Sequence, residues 1–252
     1  MREPSFLLID AGSSWLKWAT SPARGPVRPA GKIATVKATA AWIKTLARKF
    51  PKHQAVLASV VPKLTPVFQR AFAQRLHVVT GSSPALGLRF DYPKPAEIGA
   101  DRLATGVAAH ADGLWPVIVI SCGTATAFTV LDAKGRLCGG VIAPGLHTQL
   151  AALLGATAQL PATALRAPRR ALARSTEEAI CAGVILNFQG GVKEIVRQLS
   201  EAVPGRRPHI VLTGGNAPHL TGSLDLPHAL RPLLVFEGLR IIGTRLSLST
   251  AT

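Results

Sequence analysis

The stretches LLIDAGSSWLKW (residues 7–18) and VIVISCGTATAF (residues 117–128) follow one plan. An apolar run ends on an acidic or small residue, a glycine comes two positions later, small or hydroxyl residues follow, and a second strand-like run begins. The turn glycines Gly12 and Gly123 lie 111 residues apart, too far for a solenoid repeat and about the size of a small domain. Outward from these turns, apolar patterning predicts strands at 6–10, 15–20, 32–36, 54–60 and 76–80, and helices at 38–50, 63–75 and 98–111. The chain then begins again, with strands at 116–121, 124–131 and 136–142 followed by helices. Among these is a helix at 175–200 with an irregularity at Gly190-Gly191; a strand at 209–213 and a closing helix at 233–246 come after it. The reading is a duplicated β-β-β-α-β-α unit in two domains, 1–115 and 116–252, with the boundary near 113–116.

Composition bounds the function. With 252 residues and 48% hydrophobic content the chain can bury a core, which excludes a disordered polymer. Its longest apolar stretch, 115–131, is broken by Ser, Thr and Gly and falls short of a membrane span. The start has a four-residue apolar run where a secretory signal needs more, so a cytoplasmic protein is expected. Three separated cysteines and seven scattered histidines argue against a disulfide framework and a zinc site. A net charge of +16 invites a nucleic-acid partner. The densest basic stretch, LRAPRRALAR (165–174), has no interleaved aromatic residue, so a solvated basic face or a small anionic ligand is the favoured reading.

The two hairpins suit phosphate. A turn glycine brings backbone N–H groups close to a ligand, and hydroxyls and a lysine complete a cradle. The first offers Asp10, Gly12, Ser13, Ser14 and Lys17; the second offers Gly123, Thr124 and Thr126. Asp10, at a strand end, could hold a hydrated Mg²⁺. Either turn alone reads equally as an ordinary hairpin. Gly31-Lys32 is followed by Ile33, so a P-loop is excluded.

In this order, IDAGSSWLKW, EIGADRLA, SCGTATAF, GGVIAPG, RSTEEAICAG and LTGGNA resemble the motifs of type III pantothenate kinases over nearly the whole chain. The resemblance implies an α/β fold of two duplicated ribonuclease H-like domains of the actin-like ATPase superfamily, with ATP in the cleft between them. It also implies ATP- and Mg²⁺-dependent phosphorylation of pantothenate to 4′-phosphopantothenate, the first step of coenzyme A synthesis. Asp101 would be the catalytic base. Tyr92, Gly99, Ala100 and Arg102 would contact pantothenate, the Arg102 fork matching its carboxylate. Gly214 and Gly215 would lie beside adenine, and Thr176 would reach the neighbouring subunit's substrate in a homodimer with shared active sites. Helix-start roles compete for Asp101 and for Ser175 or Thr176. A transcriptional accessory or nucleic-acid-binding protein of the same fold is the alternative.

Two positions depart from the family. Ser13-Ser14 replaces Asn-Thr and keeps small hydroxyl donors. Ser121 replaces the Asp associated with a monovalent cation, K⁺ or NH₄⁺, and lacks the charge that a bare cation needs. The cation is therefore expected to be held by neutral oxygens, weakly, or not at all.

Overall fold

The computed structural model describes residues 5–168 and 170–249, so Arg169 of the basic stretch lies outside the described residues. The chain divides into two compact units, Met1–Leu114 with Gly135–Leu137 and Leu233–Thr252, and Trp115–Lys134 with Cys138–Pro232. The break at Leu114/Trp115 falls within the expected boundary region. The expected second domain, 116–252, nevertheless gives up its closing helix, which packs in the first unit.

In the first unit, β1 (Ser5–Ala11), β2 (Trp15–Pro22) and β3 (Arg28–Ala34) pair antiparallel. α1 (Ala40–Lys49), β4 (Gln54–Ser59), α2 (Thr65–Phe72), β5 (Leu76–Val78) and α3 (Ala100–Ala111) follow, and the sheet order is β3-β2-β1-β4-β5. β1, β4 and β5 run parallel. Because helices cover both faces, β1 is apolar at every position from Phe6 to Ile9 rather than alternating. Leu7, Ile9 and Ala11 pack with Ile43, Leu46, Phe68 and Phe72 of α1 and α2. Phe6 and Leu8 pack with Leu103 and Val107 of α3 and with Phe236, Leu239 and Ile242 of the C-terminal helix. That helix comes so close to α3 that a Cβ on Gly238 would lie 1.8 Å from the Ala104 carbonyl oxygen. Only glycine admits such an approach, and the contact pins the chain's end to the first unit.

The third strand starts and stops earlier than the expected 32–36. Its first residues, Arg28-Pro29-Ala30-Gly31, are exposed on a sheet edge and give no apolar signal. After Ala34 a 3₁₀ turn (Thr35–Lys37) takes over.

The second unit contains β6 (Val117–Cys122), β7 (Ala125–Leu131), β8 (Leu137–Gly139) from Cys138 on, β9 (Ile142–Pro144), α4 (Leu146–Ala156), α5 (Thr176–Ala202), β10 (His209–Thr213), α6 (Pro218–Thr221) and β11 (His228–Leu230). The C-terminal helix of the first unit is α7 (Leu234–Ser249). Strand order β11-β10-β6-β7-β8 repeats that of the first sheet, read from the other edge. The β6/β7 pair is antiparallel and β6/β10/β11 parallel, as in the first unit. The strand expected at 136–142 is split in two, β9 forming a separate pairing with β7. α5 runs unbroken through Gly190-Gly191, because Phe188 and Val192 on either side are buried and hold the helix. α5 is long and apolar enough to cross a membrane by length and composition. Here Ile180, Val184, Phe188, Val192 and Val196 pack instead into the core with Ile118, Phe128 and Leu212.

Candidate active site

At the β1–β2 hairpin, the Gly12 N–H donates to the Trp15 carbonyl (3.1 Å). Thr35 clamps the turn, its Oγ1 donating to the Gly12 carbonyl (2.7 Å) and its N–H to the Ser14 carbonyl (2.9 Å). Val60 N–H donates to the Ala11 carbonyl (3.1 Å). These bonds engage the loop's carbonyls within the protein, which lowers the repulsion an anion would meet there. Ser13 and Ser14 lie exposed at the tip.

Asp10 sits directly opposite Lys17 in the β1/β2 register. Burial pushes its carboxyl up to about 6; the Lys17 ammonium opposes that rise and the Asp101 carboxylate adds to it. Asp101 acts on Asp10 through space because α3 begins beside the end of β1. It is the second residue of α3, and its Oδ1 accepts a hydrogen bond from the Arg102 N–H (2.9 Å). A Cβ on Gly99 would lie 2.7 Å from that Oδ1, so Gly99 leaves room for the carboxylate.

Ala100 is buried, which confines any ligand contact from it to its backbone. Arg102 is only 8% exposed. Burial lowers its pKa, while Asp101 and then Tyr92 favour its charge. Tyr92 packs against the core cluster that includes Leu103 and Val107. The first unit thus gathers Asp10, Lys17, Tyr92, Gly99, Asp101 and Arg102, residues spread over 93 positions of sequence.

In the second unit, the Gly123 N–H donates to the Ala125 carbonyl (3.0 Å). This hairpin is one residue shorter than the first, since Cys122 faces Thr126 where Ala11 faces Leu16. Thr126 therefore occupies the place of core residue Leu16 and is 1% exposed, which removes it from the expected phosphate cradle. Ser121 is half-buried at the end of β6, at the position corresponding to Asp10.

The Thr124 carbonyl accepts from the Gly145 N–H (3.0 Å) and from Thr148 Oγ1 (2.5 Å). Asn216 ties two loops together: its N–H donates to the Cys122 carbonyl (3.0 Å) and its Nδ2 to the Gly123 carbonyl (3.2 Å). Sequence reasoning missed Thr35, Thr148 and Asn216. The flanking motifs GGVIAPG and LTGGNA were the only signals for the last two.

Gly214 has φ +91°, and a Cβ there would lie 2.5 Å from the Cys122 carbonyl oxygen, so its glycine is structural. Nothing lies within 4 Å of a Cβ on Gly215, which leaves open space for a ligand. At the start of α5, Ser175 Oγ accepts from the Glu178 N–H (3.3 Å) and Glu178 Oε2 from the Arg174 N–H (3.1 Å). Capping thus falls to Ser175, and Thr176 stands exposed beside it.

Among the described residues no group of three or more His, Cys, Asp or Glu could hold a metal ion. A hydrated Mg²⁺ needs no such cage. It is commonly held through one or two carboxylates together with water and phosphate, and the desolvated Asp10 carboxylate fits that need.

A family model described as type III pantothenate kinase matches residues 6–198. The chain is 34% identical over 238 residues to a type III pantothenate kinase of Methylacidiphilum infernorum, covering 94% of this chain and 87% of that protein. It is 33% identical over 237 residues to one of Akkermansia muciniphila, covering 94% and 97%. A solved structure from Campylobacter jejuni, described as a conserved Baf family transcriptional activator, matches with a TM-score of 0.62 and 17% identity over 98% of this chain and 100% of that one. That likeness concerns fold alone. The duplicated sheet order and that neighbour agree on an α/β fold built from two units with the same strand order.

Proposed function

Because the chain belongs to the type III pantothenate kinase family, we propose that Asp101 is the base of a phosphoryl transfer from ATP to the terminal hydroxyl of pantothenate. The observation that carries this reading is the meeting of Asp101 with Asp10, Arg102 and Tyr92 in the first unit. As the hydroxyl oxygen bonds to the γ-phosphorus, its proton passes to an Asp101 carboxylate oxygen, the bond to the β-phosphate oxygen breaks, and ADP leaves. The Arg102 N–H fixes Asp101 through one oxygen and so sets the direction of the other.

Arg102 and Tyr92 hold the acceptor, the guanidinium meeting its carboxylate. The Gly12 and Gly123 N–H groups close their own turns, so phosphate is taken by the N–H groups and hydroxyls of Ser13, Ser14 and Thr124, and Lys17 supplies a point charge. Asp10 is the residue that would hold Mg²⁺ through water; when bound, the ion neutralises charge on the transferring phosphate. Gly215 lies where a base can enter, beside Gly214.

Thr176 is proposed to reach the neighbouring subunit's substrate in a homodimer, a reading supported by its exposure next to a cap it does not supply. The reading extends to a cytoplasmic enzyme at the first step of coenzyme A synthesis. ADP formation with ATP and Mg²⁺, with and without pantothenate, tests the reaction. Asp101→Asn is expected to lose about 10²- to 10⁴-fold in turnover while still binding ATP. Turnover near that of the unaltered protein would remove Asp101 from the base role.

A further inference from the structure

A cavity of about 430 Å³ opens in the second unit between the last turns of α5 and the loops that precede β10 and β11. It belongs to none of the motifs above. β10 runs from this cavity at His209 to the glycine loop after Thr213, a rise of roughly 17 Å, so the two lie at opposite ends of one strand. Its size is that of a small-molecule site.

The lining carries four cations and two carboxylates. Lys193 is paired with Asp225 (2.8 Å) and Arg197 with Glu201 (2.6 Å), which neutralises both carboxylates. Arg197 is also paired with Glu194 outside the lining (2.7 Å). The remaining two cations have no ion pair with an acid among the described residues. Arg206 donates from Nε to the Trp115 carbonyl (2.8 Å), a neutral acceptor that orients the guanidinium without cancelling its charge. Arg207 is exposed and has no hydrogen-bond or ion-pair partner among the described residues. In the same lining Leu224 is buried and Leu226 partly buried, both packed on the core of this unit.

Two arginines and two leucines in one lining match an anionic head on an apolar body. An inorganic ion would leave most of the cavity unfilled, and an uncharged apolar molecule would leave the arginines unanswered. We propose that this cavity is a second ligand site, separate from the kinase site, for an organic phosphate ester with a compact apolar body. Such a ligand would sit where β6 and β10 begin: Arg206 is bonded to Trp115 just before β6, and the His209 N–H donates to the Pro116 carbonyl (2.9 Å).

Calorimetric titration of the full chain with 1-naphthyl phosphate, under saturating ADP to fill the nucleotide site, tests the assignment. One binding event is expected, with 1-naphthol and inorganic phosphate each weaker by about tenfold or more. Arg207 makes no contact on which folding depends. Arg207→Glu is therefore expected to weaken binding by about tenfold or more with pantothenate-dependent turnover unchanged, and Arg207→Lys to retain most of it. Binding that is absent under saturating ADP, is unchanged in Arg207→Glu, or is matched by 1-naphthol would overturn the proposal.

Discussion

Replacing Asp10 by Asn should make the first unit more stable while removing activity. The Asp10 carboxyl titrates near 6 in the folded protein against a reference value of 3.8, chiefly because burial penalises its charge. Since the folded form binds this proton more tightly, the group's penalty is absent below the unfolded pKa and complete once pH exceeds about 6. The difference is worth about 3 kcal/mol, at 1.36 kcal/mol for each pH unit. Asn keeps the shape without the charge, so the gain should approach ~3 kcal/mol at pH 7.5, fall to about half at pH 5, and nearly vanish below pH 4. Urea unfolding followed by tryptophan fluorescence is suited to the measurement, because Trp15, Trp18 and Trp42 all belong to the first unit and only Trp115 to the second. A variant no more stable than the parent at pH 7.5, or equally stabilised at pH 5 and 7.5, would show that burial is not what raises this carboxyl. The same variant should lose pantothenate-dependent turnover, as expected of a strained charge kept for a metal and a phosphate rather than for folding.

Gly214→Ala should destabilise the protein by roughly 1–3 kcal/mol, through its left-handed backbone and its clash with Cys122, whereas Gly215→Ala should leave the melting temperature unchanged and weaken ATP binding. Equal ATP affinity in the Gly215 variant would take adenine away from this loop. At Ser121, turnover is expected to be the same in sodium and potassium buffers, and Ser121→Asp should introduce stimulation by potassium; strict potassium dependence of the unaltered protein would contradict the argument from charge. Leu186, 47% exposed on α5, gives a test of self-association. Light scattering should find a dimer that Leu186→Asp dissociates, and a monomeric parent protein would end the shared-site reading.

What the sequence disclosed follows the range of the interactions concerned. Both glycine hairpins, the apolar β1 and β6, and the start of α3 are fixed by neighbours a few residues away, and their patterns are plain in the chain. The return of α7 to the first unit depends on Gly238 meeting the Ala104 carbonyl, and no local pattern shows that contact. β3 lies earlier in the chain than its apolar pattern because an edge strand can be polar and still pair.

Thr126 is the most instructive case. The motif SCGTATAF displays two threonines as equivalent hydroxyls, but strand periodicity makes them unlike. Thr124 stands in the turn, whereas Thr126 faces Cys122 and points into the core as Leu16 does beside Ala11. One residue fewer in the second turn decides this, because side chains alternate across a strand and the register is set by the turn. The same register makes Ser121 the counterpart of Asp10 and Ala127 that of Lys17. The duplicated units therefore share a frame but not a chemistry. At this pair of positions the first keeps a carboxylate and an ammonium, while the second offers only a neutral hydroxyl and a methyl group. The charges assigned to catalysis consequently gather in the first unit, while the corresponding hairpin of the second carries only neutral groups.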